Sequence, residues 1–144
     1  MQDIISVCRV AKQSTHHPLI LKVSYLHSLQ IIREASKYVE AVHAINSVPW
    51  RLVFPNKKSP LAKHGGGGFS GPIIAPFARK KVGEIVEAIF LPVIAGGGIS
   101  CLEDVLVFRE LGAQGFSIGS LFFRPWEPNR LVRQYKLKLA NVGR

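Results

Sequence analysis

The sequence predicts an α/β fold: a leading helix followed by four βα units whose strands run parallel. Three observations point to it. Short apolar runs at residues 18–24, 40–46, 91–95 and 115–123 alternate with stretches of helical periodicity. The helical stretches carry start and stop signals, such as Ser28 before one and Gly112 after another. Small polar residues or glycines gather at the far ends of the apolar runs, where strands of such a fold give way to loops. Strands alternating with helices form a parallel sheet with right-handed crossovers.

Composition narrows the class. A chain of 144 residues with 47% hydrophobic residues buries an ordinary core, which excludes a disordered segment. No apolar run is long enough to span a bilayer, and the N-terminal MQDIISVCRVAK has the form of neither a secretory nor an organellar leader. Cys8 and Cys101 lack paired metal-ligand spacing, so no metal site is expected and a reduced, cytoplasmic setting is. The formal net charge is +10, but Lys57-Lys58, Arg79-Lys80-Lys81 and Arg130–Lys138 lie in different elements. A solvated basic surface fits that scatter better than a nucleic-acid stripe.

Taken in order, residues 3–13 set Ile4, Ile5, Val7, Val10 and Ala11 at helical spacing. Residues 18–24, PLILKVS, form the first strand, with Lys22 inside the apolar run. Its charge needs a partner or a polar cavity, unless the side chain snorkels to solvent from the strand end. Ser28 caps a helix over 28–38 that turns Ile31, Ile32, Ala35 and Tyr38 inward. The second strand, 40–46, ends in Asn46-Ser47, and His43 within it reads as a packed strand residue rather than a ligand. Residues 47–72 make a long connection, either a flexible tether or a lid whose glycine end packs under a ligand. The apolar anchors Trp50, Leu52 and Phe54 favour order. A helix over 74–89 has Pro76 in its first turn, Val82, Ile85, Val86 and Ile89 inward, and Arg79–Lys81 facing water. The last strand is read over 115–123, with Gly119-Ser120 toward its end. Pro125 and Pro128 break the chain before a final amphipathic helix over 127–140.

The chain is organised around residues 91–104, LPVIAGGGISCLED, which read as strand, glycine turn and helix start. Gly96, Gly97 and Gly98 permit a sharp turn with no side chain in a ligand's way. Ser100 and Glu103 form an S-x-x-E capping box that starts a helix running to Leu111. Backbone N–H groups and a helix dipole then converge on one spot, which suits a phosphate; the same stretch also serves simply as a tight βα turn. Ligands of parallel sheets bind at the C-terminal strand ends. Lys22, Asn46-Ser47, Gly97-Gly98 and Gly119-Ser120 all fall on that edge. The two late small-residue turns resemble the phosphate site after the seventh and eighth strands of a (β/α)8 barrel.

These residues also resemble a known family. INSVP at 45–49, GGGGFSGP at 65–72, PVIAGGGIS at 92–100, LEDV at 102–105 and FSIGSLFF at 116–123 are similar, in order and spacing, to the C-terminal half of dihydroorotate dehydrogenases, flavin enzymes of pyrimidine biosynthesis. The resemblance implies four βα units of a TIM barrel: residues 1–144 as one partial domain, with the family's upstream half absent. It implies FMN as cofactor and dihydroorotate oxidised to orotate, with hydride passing to flavin N5 and a base removing the neighbouring proton. Lys22 would stabilise negative charge on the reduced flavin or the bound orotate, and Asn46 would hydrogen-bond the pyrimidine ring. Ser47, Ser70 and Gly71 would line the flavin, and Gly97, Gly98, Gly119 and Ser120 would hold its phosphate.

The resemblance places the family's cysteine or serine base upstream of the Lys22 strand. Cys8 lies too close to that strand and in a helical pattern, and Cys101 reads as a helix residue. A half-barrel leaves open sheet edges, so a homo-oligomer or a separate N-terminal half is the expected partner. Other FMN barrels, the flavin domain of a dihydropyrimidine dehydrogenase or a tRNA dihydrouridine synthase, are the alternatives; INSVP favours the orotate type. A non-enzymatic half-barrel that binds a phosphate ligand or nucleic acid is the third reading, and strongly salt-dependent RNA affinity would mark it.

Overall fold

A computed structural model describes residues 2–142. The chain opens with helix α1 (Gln2–Ser14), which leads into strand β1 (Ile20–Val23) and helix α2 (Leu29–Ala35). Strand β2 (Ala41–Ala44) follows, then a short arm of β3 (Val48–Pro49), α3 (Trp50–Val53) and β4 (Gly68–Phe69). Helix α4 (Ala75–Ala88), strand β5 (Val93–Gly96), helix α5 (Leu102–Glu110), strand β6 (Gly115–Ser117) and helix α6 (Glu127–Val142) complete it. The main sheet is parallel throughout, in the order β1-β2-β5-β6. Each strand lies beside its predecessor among these four, as in one sector of a barrel wall.

Alternation along the strands divides the sheet into two faces. Val23, Val42, Ala44, Val93 and Ala95 are buried and pack with Ile32, Ala78, Val82, Ile85 and Phe108 of the helices. The opposite face carries Ile20, Lys22, Ala41, His43 and Ile94, and it is uncovered: Ile20 is 57% exposed. A doubly wound sheet would have helices on both faces. Helices on one face only, with consecutive strand order, mark a barrel sector whose inner surface is open.

Local chemistry explains most elements. Ser28 accepts a hydrogen bond from the Ile31 N–H and starts α2. Gly112, at φ +95°, stops α5. The long connection is ordered by its aromatic anchors, since Trp50 packs on Phe54 and Phe69 at centroid distances of 5.2 and 4.9 Å. The Trp50 Nε1–H donates to the Lys57 carbonyl at 2.8 Å, and Leu52 and Val53 reach the main core.

Several expectations are corrected. The second strand stops at Ala44, leaving Asn46 beyond it with its N–H on the Val23 carbonyl at 3.1 Å. The last strand ends at Ser117, because Gly119 turns the backbone (φ −125°, ψ −74°) into a 3₁₀ helix over Ser120–Phe123. That run mimicked a strand by composition, yet Leu121 is buried while Phe122 and Phe123 are 64% and 91% exposed. Pro128 does not break α6 but sits in its first turn, where a missing N–H costs nothing.

The basic run of α4 does not face water as a whole. The helix is wedged between α2 and α5, so three successive residues point in different directions. Lys80 is exposed, but Lys81 is only 6% exposed and its Nζ donates to the His27 carbonyl at 2.7 Å, with Glu84 at 3.8 Å. Arg79 donates from Nη2 to the Asp104 carboxylate at 2.7 Å.

The capping box of α5 is Cys101 with Asp104, one residue later than Ser100 with Glu103. Asp104 accepts from the N–H and hydroxyl of Ser100 at 2.8 and 2.9 Å, and from the Cys101 N–H at 3.2 Å. Burial pushes the Asp104 carboxyl up, but these donors outweigh it and hold it below its ordinary range. Asp104→Asn is therefore expected to cost about 1–3 kcal/mol at neutral pH. The depressed value means that this stability is present above the unfolded carboxylate's pKa and is lost as pH falls through the folded one. Urea unfolding of both proteins should show the gap at neutral pH and its narrowing by about pH 3.

Candidate functional site

At the C-terminal edge of the main sheet, Lys22 of β1, the loops after β2, β5 and β6 and the end of the arm surround an open cavity. All nine positions singled out in the sequence line it: Lys22, Asn46, Ser47, Ser70, Gly71, Gly97, Gly98, Gly119 and Ser120. Parallel register brings them there. Lys22 ends the inward row of β1, and the Ile45 N–H bonds the Gly96 carbonyl at 3.0 Å, setting Asn46 beside the glycine turn. The arm returns Ser70 and Gly71 to the rim, where a Cβ on Gly71 would lie 3.7 Å from Ser120 Oγ. Ser47 is pinned by the arm, since a Cβ on Gly68 would come within 2.7 Å of its Oγ.

The two glycine turns differ in what holds them. Gly98 has φ +83°, and a Cβ there would lie 2.7 Å from the Ala75 nitrogen and 2.8 Å from its Cα. Only glycine adopts that backbone and allows the first turn of α4 to come so close. Gly119 has ordinary negative φ and nothing within 4 Å of its missing Cβ. It faces space rather than packing.

The donors of this edge divide cleanly. Asp104 takes the N–H groups of Ser100 and Cys101, so the α5 end of the turn is already neutralised by the chain's own carboxylate. The backbone N–H groups of Gly98, Ile99, Gly119 and Ser120 make no hydrogen bond to another described residue. Both turns line the one cavity, so their unpaired N–H groups are available to a ligand there. The lining contains Lys22 and His43 and no Asp or Glu, so its electrostatics favour an anion.

His43 is the residue whose place was misread. It is half-buried on the open face, directly beside Lys22 in the β1–β2 register, and it lines the cavity. Its Nε2 lies 3.1 Å from where a Gly96 Cβ would be, so the imidazole lies close over that glycine. Burial, and then the Lys22 ammonium, lower its pKa below the ordinary imidazole value. Ser117, on the far side of Gly96, was also missed. The signal for both was parity: if Lys22 points inward, so do its register partner His43 and, along β6, Gly115 and Ser117. Cys8, on the inner side of α1, is buried against Ala35 and Val39, away from the cavity. Cys101 is exposed at the start of α5.

A one-sided parallel sheet with its strands in consecutive order and a cavity at their C-terminal ends defines a sector of a (β/α) barrel. Comparison with known proteins narrows this. The family model for dihydroorotate dehydrogenase matches residues 4–136. The catalytic subunit of dihydroorotate dehydrogenase B (NAD(+)) from Desulforamulus reducens is 32% identical over 143 residues, covering 95% of this chain and 46% of the relative. The subunit of the same name from Geobacter sp. strain M21 is 30% identical over 139 residues, covering 94% and 46%. DHODH from Eimeria tenella, solved in complex with ferulenol, shares the fold with a TM-score of 0.65 at 19% identity, over 88% of this chain and 35% of that one. The chain belongs to the dihydroorotate dehydrogenase family. It spans about half the length of the curated relatives it matches. Among the described residues, no helix is long and apolar enough to cross a membrane.

The contrast between the two turns is testable without a ligand. Gly98→Ala should cost about 1–3 kcal/mol through forced contact with α4. Gly119→Ala should stay within about 0.5 kcal/mol of the parent. Urea unfolding of the pair checks this, and an equal loss in both would contradict the geometry.

Proposed function

We propose that this chain forms the C-terminal side of a dihydroorotate dehydrogenase site, holding FMN and contributing to the oxidation of dihydroorotate to orotate. The observation that carries this is the set of N–H groups at Gly98, Ile99, Gly119 and Ser120, which have no partner among the described residues and belong to one cavity lining that contains a lysine and no acid. The residues fit a flavin mononucleotide: an oxyanion cradle at one end, with Lys22 on the floor and Asn46 and Ser47 on the wall.

In this reading Gly97, Gly98, Gly119 and Ser120 hold the phosphate by backbone N–H groups. Ser47, Ser70 and Gly71 bound the ring from the arm side and restrict water. Lys22 offers a positive charge where negative charge develops on ring or substrate. Asn46 presents both a donor and an acceptor to the substrate's pyrimidine ring. Bound FMN supplies the two-electron acceptor for the carbon–hydrogen bond that breaks. The family resemblance puts the base that takes the proton on another sector of the barrel; neither cysteine of this chain lines the cavity.

The open inner face and the outer edges of β1 and β6 are covered in the working enzyme by a complementary half-barrel. The names of the curated relatives, catalytic subunits of an NAD(+) enzyme, support transfer of the electrons onward to NAD(+) through a partner subunit. Two free thiols suit a reducing, cytoplasmic setting.

A titration of the chain with FMN, followed by quenching of flavin fluorescence, tests the site. Saturable quenching is expected, with affinity falling at least about tenfold in Gly119→Asp, which sets a carboxylate against the phosphate. Because nothing packs on Gly119, that variant should keep the parent's far-UV circular dichroism. No saturable quenching, or equal affinity in the variant, would overturn the assignment.

A further inference from the structure

Lys22 and His43 are register partners on the inner face of the sheet, and Ser117 lies on the same face beside Gly96; all three line the cavity. We propose that His43 is a binding residue of this site, hydrogen-bonding an acceptor atom of the ligand's ring system beside Lys22 and making its affinity depend on pH. The proposal rests on the flavin reading above and assigns a role to a residue that the sequence presented as packing.

The surroundings of His43 carry the argument. From β1, Lys22 faces it; from β5 and β6, Gly96 and Ser117; from the loop after its own strand, Asn46; from the arm, Ser47 and Ser70. The only charged group in that set is Lys22. No described residue makes a hydrogen bond to the His43 ring, and Gly96 leaves room at its Nε2 edge because it has no side chain. An imidazole there can give or take one hydrogen bond toward the cavity.

In the empty site, burial and the neighbouring ammonium disfavour a second positive charge, so the ring is neutral at neutral pH. A bound ring opposes them: a carbonyl oxygen or unprotonated ring nitrogen over the imidazole accepts a hydrogen bond that the protonated ring makes more strongly. Binding therefore draws a proton onto His43 as pH falls, and the bound state gains a charge-assisted hydrogen bond.

The test compares FMN affinity of the parent and of His43→Gln between about pH 8 and about pH 5.5. The phosphate of FMN titrates in the same range, so the quantity to read is the ratio of the two dissociation constants at each pH. The ratio of the variant's constant to the parent's should rise severalfold on acidification, toward the limit of about tenfold set by a one-unit change in one pKa. The His43 imidazole resonances, followed by NMR with and without FMN, should move to a higher pKa on binding. A ratio that does not change with pH, or a His43 pKa indifferent to FMN, would overturn the role of His43 while leaving the flavin site standing. Failure of the parent chain to bind FMN at any pH would overturn both.

Discussion

The approach of Gly98 to the first turn of α4 is the contact on which the rest of the edge depends. Its Cα side rests against the Ala75 backbone with no room for a methyl group. That contact fixes where the turn after β5 lies relative to the sheet, and so the direction of the N–H groups that follow. The Arg79–Asp104 pair then ties α4 to the start of α5 from the other side. Between a steric stop and an ion pair the turn has little freedom left, and its free donors are held open without a ligand. Preorganised donors bind anions without the cost of arranging them first.

The sheet explains what the chain can and cannot complete by itself. Its helix-side face is filled by aliphatic residues and Phe108, all of them fully or nearly fully buried. Its other face mixes Ile20, Ala41 and Ile94 with Lys22 and His43. The apolar members of that face suit the packed interior of a closed barrel, whereas the polar members sit at the end where ligands enter. A single sheet thus changes from core to site within one strand length.

Much of this was legible in the sequence, and the failures share a cause. The alternation of strands and helices, the parallel edge and all nine cavity positions followed from periodicity, glycine placement and the motif resemblance. Boundaries failed where a local pattern had two solutions. Residues 116–123 have strand composition, but Gly119 diverts the backbone and the run closes into a 3₁₀ turn. Ser100 with Glu103 is a valid capping box, yet starting the helix one residue later brings in Asp104, which also reaches Arg79. His43 and Lys81 failed because their surroundings come from elements far away in the chain: Lys22 for the one, the turn at His27 for the other. Periodicity ranks faces of an element, but it does not say what the neighbouring element brings to them.

The ammonium of Lys81, enclosed between α4 and the turn after β1, bears on how such a chain can diverge. The His27 carbonyl that receives it is a backbone atom, so no exchange of side chains in that turn can replace the bond, only a change of path. An insertion or deletion between Ser24 and Ser28 would strand a charge in an apolar seam. Residues 54 positions apart are thereby bound to a shared history. Length variation among descendants should collect instead in the β3–β4 arm, whose tip at residues 55–66 answers mainly to itself.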